Sequence, residues 1–311
     1  GRRHRIQLAG AAPAVELLED RTLLTVDFAI TATAAIVAED GGTAQFSIEQ
    51  TGDSIAVGET AAVDLASGGS AISGTDYDDF VGAVTAAAST TVGVSFDGIA
   101  TLTFDDTFVS PFSFSVNGLS DTLVEGTQAV DGIISNPVAS GGATATITTA
   151  TATTDLTDSD IATVTVDAGQ TLNEDGGAQG LGVTLNTVAG ATLENALIVS
   201  LDATAAAGTE VDDATFGALG SLTFIAGSGD GTTDNSVVLT PTSDTVVESD
   251  EDATIVLSGT SLDGQVTYNS DDVSIANDDT ATLSIDDPTL SESGTALTFT
   301  VTSSNATEQD I

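Results

Sequence analysis

From Thr25 to Ile311 the chain contains no lysine, arginine or histidine; its four arginines (Arg2, Arg3, Arg5, Arg21) and its single histidine, His4, all lie in the first 21 positions. Three of the 47 acids (Glu16, Glu19, Asp20) precede Thr25 and 44 follow it. No side-chain ion pair can form in that body. A surface of one sign also excludes nucleic acid and anionic membrane surfaces as partners, since both need cationic patches. Without histidine, lysine or cysteine there is no Ser–His–Asp triad, thiol nucleophile or Schiff-base lysine. Cysteine is absent throughout, so there is no disulfide framework, and without lysine there is no Lys–Asn cross-link. An exported chain of this kind needs another staple, and a metal ion is the obvious one left. Tryptophan is missing and only Tyr77 and Tyr268 are present, which leaves little to stack on a sugar ring and tells against glycoside hydrolysis by paired carboxylates. No apolar run is long enough to span a membrane as a helix.

What remains is sufficient to build a core. Hydrophobic residues make up 41% of the chain, so the charge does not mark a disordered acidic tail. Short alternating runs rich in Thr, Val and Ile are separated by Gly, Asp, Asn and Ser: Gln45–Ile48, Ile99–Phe104, Phe112–Val116, Ile161–Val166, Leu197–Leu201, Leu222–Ile225, Ser236–Thr240 and Leu297–Val301. Period-two alternation predicts strands, and the body shows no helical pattern. The Gly-Gly pairs at 41–42, 68–69, 141–142 and 176–177 lack the helix and cation of a phosphate cradle and read as turns.

The runs are punctuated by signals that recur in the same order. Ala38-Glu39-Asp40-Gly-Gly matches Asn173-Glu174-Asp175-Gly-Gly and then Ser291-Glu292-Ser-Gly294. Gly74-Thr-Asp76 matches Gly208-Thr-Glu210. Asp121-Thr-Leu-Val-Glu125 matches Asp244-Thr-Val-Val-Glu248, each leading into a strand (Ala129–Ile134 and Ala253–Leu257). Asp158-Ser-Asp160 matches Asn277-Asp-Asp279. Recurrence at this spacing predicts successive domains rather than one hairpin repeated.

These marks resemble Calx-beta repeats, modules of sodium–calcium exchanger regulatory loops and of bacterial surface proteins. The resemblance covers residues 26–160, 161–279 and the start of a third unit at 280–311. It implies an all-β chain of tandem antiparallel immunoglobulin-like sandwiches with the third repeat truncated. It further implies calcium at one end of each unit. Carried over residue by residue, the ligands would be Glu39, Asp76, Asp121, Glu125, Asp158 and Asp160 in the first unit. In the second they would be Glu174, Glu210, Asp244, Glu248, Glu251, Asp278 and Asp279. Gln128 departs from the pattern where the family often has an acid, and Glu210 replaces the turn aspartate. The first unit is also longer than usual.

The chemistry of the cluster stands apart from the resemblance. Ca²⁺ takes six to eight oxygens in irregular geometry, which suits loop ligands. Two carboxylates at about 4 Å repel by ~1 kcal/mol in water and ~4 kcal/mol at an effective dielectric of ~20, so a converging set calls for a counter-ion. The competing reading is that the acids face water, keep the surface soluble and discourage edge-to-edge pairing.

Residues 1–25 form a basic, then patchily apolar leader, with a short amphipathic helix expected over Val15–Leu24. Leu18-Glu-Asp-Arg-Thr-Leu-Leu24 resembles the leader motif of large exported planctomycete proteins and implies a cell-surface or secreted location. The lack of an initiator Met suggests residues upstream. Asn305-Ala-Thr307 matches a glycosylation sequon, a tripeptide common by chance. The sequence therefore predicts a non-enzymatic, calcium-stiffened adhesive or stalk-like spacer. Its expected partners are divalent cations, then other surface proteins, matrix or copies of itself. The alternatives are a metal-independent structural or filament-forming repeat protein and the accessory region of an exported hydrolase.

Overall fold

The alternating runs become strands whose inward residues are large and whose outward residues are polar. Thr25–Ala32 buries Val26, Phe28 and Ile30 and turns Asp27 and Ala29 outward. A computed structural model describes residues 24–206, 214, 216–294 and 296–308. The expected leader helix and the Gly208-Thr-Glu210 turn lie outside the described residues.

Two β-sandwiches follow one another along the chain. The first packs a four-stranded sheet (in spatial order Thr144–Thr149, Thr25–Ala32, Thr43–Gly52, Phe112–Asn117) on a six-stranded one (Ile36–Ala38, Thr151–Thr157, Gln128–Ala139, Thr60–Gly68, Thr101–Asp105, Val94–Phe96). The second repeats the plan with Thr232–Asp234, Val183–Thr187, Ala162–Val166 and Val266–Asn269 in one sheet. Its other sheet holds Thr171–Asn173, Asp271–Ala276, Glu251–Gly259, Leu197–Ala205 and Gly217–Phe224. Most pairs are antiparallel, as the short turns predict. Each sandwich also closes with two parallel edge pairings, Thr25–Ala32 on Thr144–Thr149 and Ala162–Val166 on Val266–Asn269 among them. The core of the first is aromatic: Phe46, Phe80 and Phe114 meet at centroid distances of 5.1–6.4 Å, and Phe28 stacks on Phe104 at 5.2 Å. The second core is aliphatic, with Val164, Leu181, Leu185, Val199, Ile255 and Val273 fully enclosed.

The expectation of no helix in the body is corrected by Phe80–Thr90, an 11-residue α-helix. Asp79 caps it, its carboxylate accepting the Gly82 N–H at 3.2 Å. Phe80, Val84 and Ala88, four apart, face inward. That stripe is only three residues long and is interrupted by Gly82, Val81 and Thr85, so it does not stand out from the surrounding Thr/Val pattern. The insertion accounts for part of the first unit's greater length. Two strand expectations also shrink: Ser236–Thr240 yields only Val238–Leu239, and Leu297–Val301 yields a strand only from Val301. In the last stretch Leu283–Ile285 and Val301–Ser303 pair as an antiparallel ribbon.

The two sandwiches interlock. Leu123–Val124, inside the first acidic corner, pairs in parallel with Thr192–Leu193 of the second sandwich. Val124 belongs to the second sandwich's core and is fully buried there. Val247, at the matching place in the second corner, bridges in parallel to Thr307, and its N–H donates to the Ala306 carbonyl at 2.9 Å.

Candidate metal centre

The tip of the first sandwich is assembled from four stretches. Gly74 adopts φ +81°, which lets the chain double back so that Thr75 and Asp76 both donate to the Ile72 carbonyl. Asp76 Oδ2 in turn accepts the Ile72 N–H at 2.6 Å, fixing the carboxylate. Asp121 Oδ1 accepts the Leu123 N–H at 2.7 Å, and Glu39 Oε1 accepts the Asp121 N–H at 2.8 Å. Asp158 holds the corner from below, accepting the Glu125 N–H at 2.6 Å and the Asp160 N–H at 2.7 Å. Backbone approach at Gly118 is close enough that a Cβ there would lie 2.4 Å from the Glu39 carbonyl oxygen, so the Glu39 strand end seats only against glycine.

These clamps bring one carboxylate oxygen each from Asp76, Asp121 and Glu125 within 4.8 Å of one another. Glu39, Asp76, Glu125 and Asp158 are each no more than 7% exposed. Burying carboxylates without a cationic side chain is costly, and the protonation equilibria register it. Glu125 is pushed up to about 8, first by burial and then by the charges of Glu194, Asp76, Asp121 and Glu39. Glu39 is pushed up to about 7 by burial and by Asp121, Asp158 and Asp160, against the lowering effect of its bond from the Asp121 N–H. Burial also raises Asp158 and Asp160.

The second tip reuses the same bonds. Glu174 Oε1 accepts the Asp244 N–H at 2.9 Å, and Asp244 Oδ1 accepts the Val246 N–H at 2.6 Å. One oxygen each of Glu174, Asp244 and Asp279 lies within 4.8 Å of the others, with Glu174 only 1% exposed. Asn277 takes the place of Asp158: its Oδ1 accepts the Asp279 N–H at 2.6 Å and its Nδ2 donates to the Glu248 carbonyl at 2.8 Å. Asp279 therefore corresponds to Asp160 and is raised by burial and by Asp278, Asp175 and Asp244. Glu251 is buried at the head of its strand and Glu248 is half-buried beside it. Asp278 is exposed and stands outside the converging trio, and Glu210 lies outside the described residues.

Three participants were not among the ligands expected from the sequence. Gln128 enters the first site where Glu251 stands in the second; its Nε2 donates to Glu125 Oε2. Asn277 is visible in the repeat alignment as a departure from Asp158 but carries no charge to mark it. Glu194 comes from the second sandwich, and only the interlock places it near Glu125. Two buried oxygens, Gln128 Oε1 and Asp279 Oδ2, have no hydrogen-bond partner among the described residues. An oxygen-rich set with unsatisfied buried acceptors and no cationic side chain fits a hard divalent cation.

No family model matches the sequence, and no curated protein is similar to it. Among solved structures, CBD12 from CALX1.2 is 16% identical with a TM-score of 0.29, over 80% of this chain and all of that one. The calcium binding domain CBD12 of CALX1.1 is likewise 16% identical with a TM-score of 0.29, over 78% of this chain and 98% of that one. The BSP domain of a biofilm associated protein is 11% identical with a TM-score of 0.26, over 84% of this chain and 53% of that one. Similarity at this level assigns no chemistry to the chain.

Proposed function

We propose that the chain is a calcium-binding structural module pair, in which cations at the sandwich tips rigidify the repeat ends and the junctions between them. The observation that carries this reading is the convergence of Asp76, Asp121 and Glu125, and of Glu174, Asp244 and Asp279, in a body without a single cationic side chain. Asp76, Asp121 and Glu125 would hold the ion in the first tip, with Glu39, Asp158, Asp160 and the Gln128 carboxamide around them. Glu174, Asp244 and Asp279 would do so in the second, with Glu248 and Glu251 adjacent. A bound divalent cation supplies charge neutralisation there and no redox or acid–base chemistry.

The interlock turns this neutralisation into mechanics. Asp121 and Glu125 flank the very strand that pairs with the second sandwich, so ordering the corner orders the junction. In this reading the protein is an extracellular or cell-surface spacer with adhesive capacity, and its role is structural rather than catalytic. The leader's wording supports the export part. Calorimetric titration with Ca²⁺ and thermal melting in Ca²⁺ against chelator test the reading. The expected result is saturable binding and a higher melting temperature in calcium; no heat and identical melting curves would leave a passive β-rod.

A further inference from the structure

Continuing the register of the interlock by one residue sets two acids side by side. Leu123 pairs with Thr192 and Val124 with Leu193, and the Glu194 N–H donates to the Val124 carbonyl at 3.3 Å. Glu194 of the second sandwich therefore stands directly beside Glu125 of the first, at the inter-strand spacing of about 4.8 Å. Val124 and Leu193 both turn into the second core. Successive side chains of a strand alternate between faces, so Glu125 and Glu194 share the opposite one.

The second junction repeats the arrangement. Val247 pairs in parallel with Thr307, its N–H donating to the Ala306 carbonyl at 2.9 Å and its carbonyl accepting the Glu308 N–H at 3.2 Å. Glu308 thus holds the place of Glu194, beside Glu248. Like charges directly opposite one another destabilise a strand pair. Both junctions nevertheless carry a glutamate pair at the same step.

The state of Glu125 points to what reconciles them. It is only 7% exposed, and its Oε2 accepts a hydrogen bond from Gln128 Nε2, whereas its Oε1 accepts none among the described residues. One of its oxygens lies within 4.8 Å of oxygens of Asp76 and Asp121. After burial, the charge of Glu194 is the largest influence raising Glu125, which puts the two carboxylates in one space. Glu194 itself is exposed and accepts the Asn195 Nδ2 at 2.6 Å, so a rotamer change brings it inward.

We infer that Glu194 and Glu308 are metal ligands supplied across the junctions, each completing the coordination of a divalent cation at the tip of the preceding module. The inference rests on the calcium reading and deepens it, because a cation shared by Glu125 and Glu194 turns a repelling pair into a clasp. Docking of the next module then tightens the tip, and loading of the tip tightens the docking by the same factor.

The test compares the full chain with Glu194→Ala and Glu308→Ala, both at exposed positions. Calorimetry reads Ca²⁺ affinity, and luminescence lifetimes of bound Eu³⁺ in H₂O and D₂O count its waters. Each substitution is expected to weaken one of the two sites by about tenfold and leave the other unchanged. Each should also add about one water in total to the bound ions, since water takes the vacated place among six to eight oxygens. Weaker binding with an unchanged water count makes these glutamates distant charges and overturns the proposal. Unchanged affinity in both variants overturns it too, with the calcium reading intact. Absence of saturable Ca²⁺ or Eu³⁺ binding to the unaltered chain removes the calcium reading itself and this inference with it.

Discussion

Val124 and Leu193, 69 positions apart and in different sandwiches, pair in parallel, and both are at most 1% exposed. The second sandwich's core is thus completed by a residue of the first. Val124→Asp places a charge in that core with no cation in reach, which costs on the order of 3 kcal/mol or more. The loss should appear in the second sandwich. Hydrogen exchange is expected to accelerate across Leu197–Ala205 and Glu251–Gly259 while the aromatic core of the first stays protected. Unchanged exchange in Leu197–Ala205 would refute the interlock.

Asp121→Asn and Asp244→Asn remove a charge but keep the side-chain oxygen that accepts the N–H two residues on. Each should act with opposite sign in the two states. Melting in chelator rises, because a repulsive neighbour is gone, whereas calcium affinity at that tip falls by about tenfold or more, about 1.4 kcal/mol. Calorimetry on both variants reads the two effects separately.

Gln128→Glu gives the first tip the acid that Glu251 supplies in the second. Without metal it adds a charge beside Glu125 and lowers the melting temperature. With calcium it adds a ligand oxygen and tightens binding. A titration showing weaker calcium binding in this variant would remove Gln128 from the site.

Glu39 and Glu125 carry folded values of about 7 and about 8 against an ordinary 4.5. Between those limits the metal-free folded chain holds more protons than the unfolded one. Their contribution to its stability is therefore fullest below about pH 4.5 and drains as pH rises through 7 and 8. Hydrogen bonds hold Asp97 and Asp105 low, so they act below this window. Calcium must displace the same protons, and its affinity climbs over the interval in which metal-free stability declines. Melts in chelator and titrations in calcium across this range give both slopes.

Asp79→Ala removes the cap of helix Phe80–Thr90 and should cost about 1 kcal/mol in chemical denaturation. Calcium affinity should not change, because no ligand oxygen of the trio lies on the helix.

The strands were legible wherever one face is buried and the other wet, as in Ile161–Val166, because alternation is local information. The tip acids were legible as a recurring order, and Glu39, Asp121 and Asp160 proved to occupy the same bonding positions as Glu174, Asp244 and Asp279. Which of two adjacent acids turns inward was not legible: Asp278 and Asp279 differ only in a turn fixed by Asn277. The helix was hidden by a three-residue stripe among β-branched neighbours. The pairing of Val124 with Leu193 leaves no local trace, since an apolar residue inside an acidic corner looks the same whether it fills its own module or the next.

Residue 124 is synthesised before any strand of the sandwich whose interior it completes. During synthesis the peg is already outside the ribosome when its hole begins to form, so no nascent module waits for a missing piece. Growth from the other terminus would leave each new unit open until its successor arrived. The pairing has a direction, and that direction is the one in which chains are made.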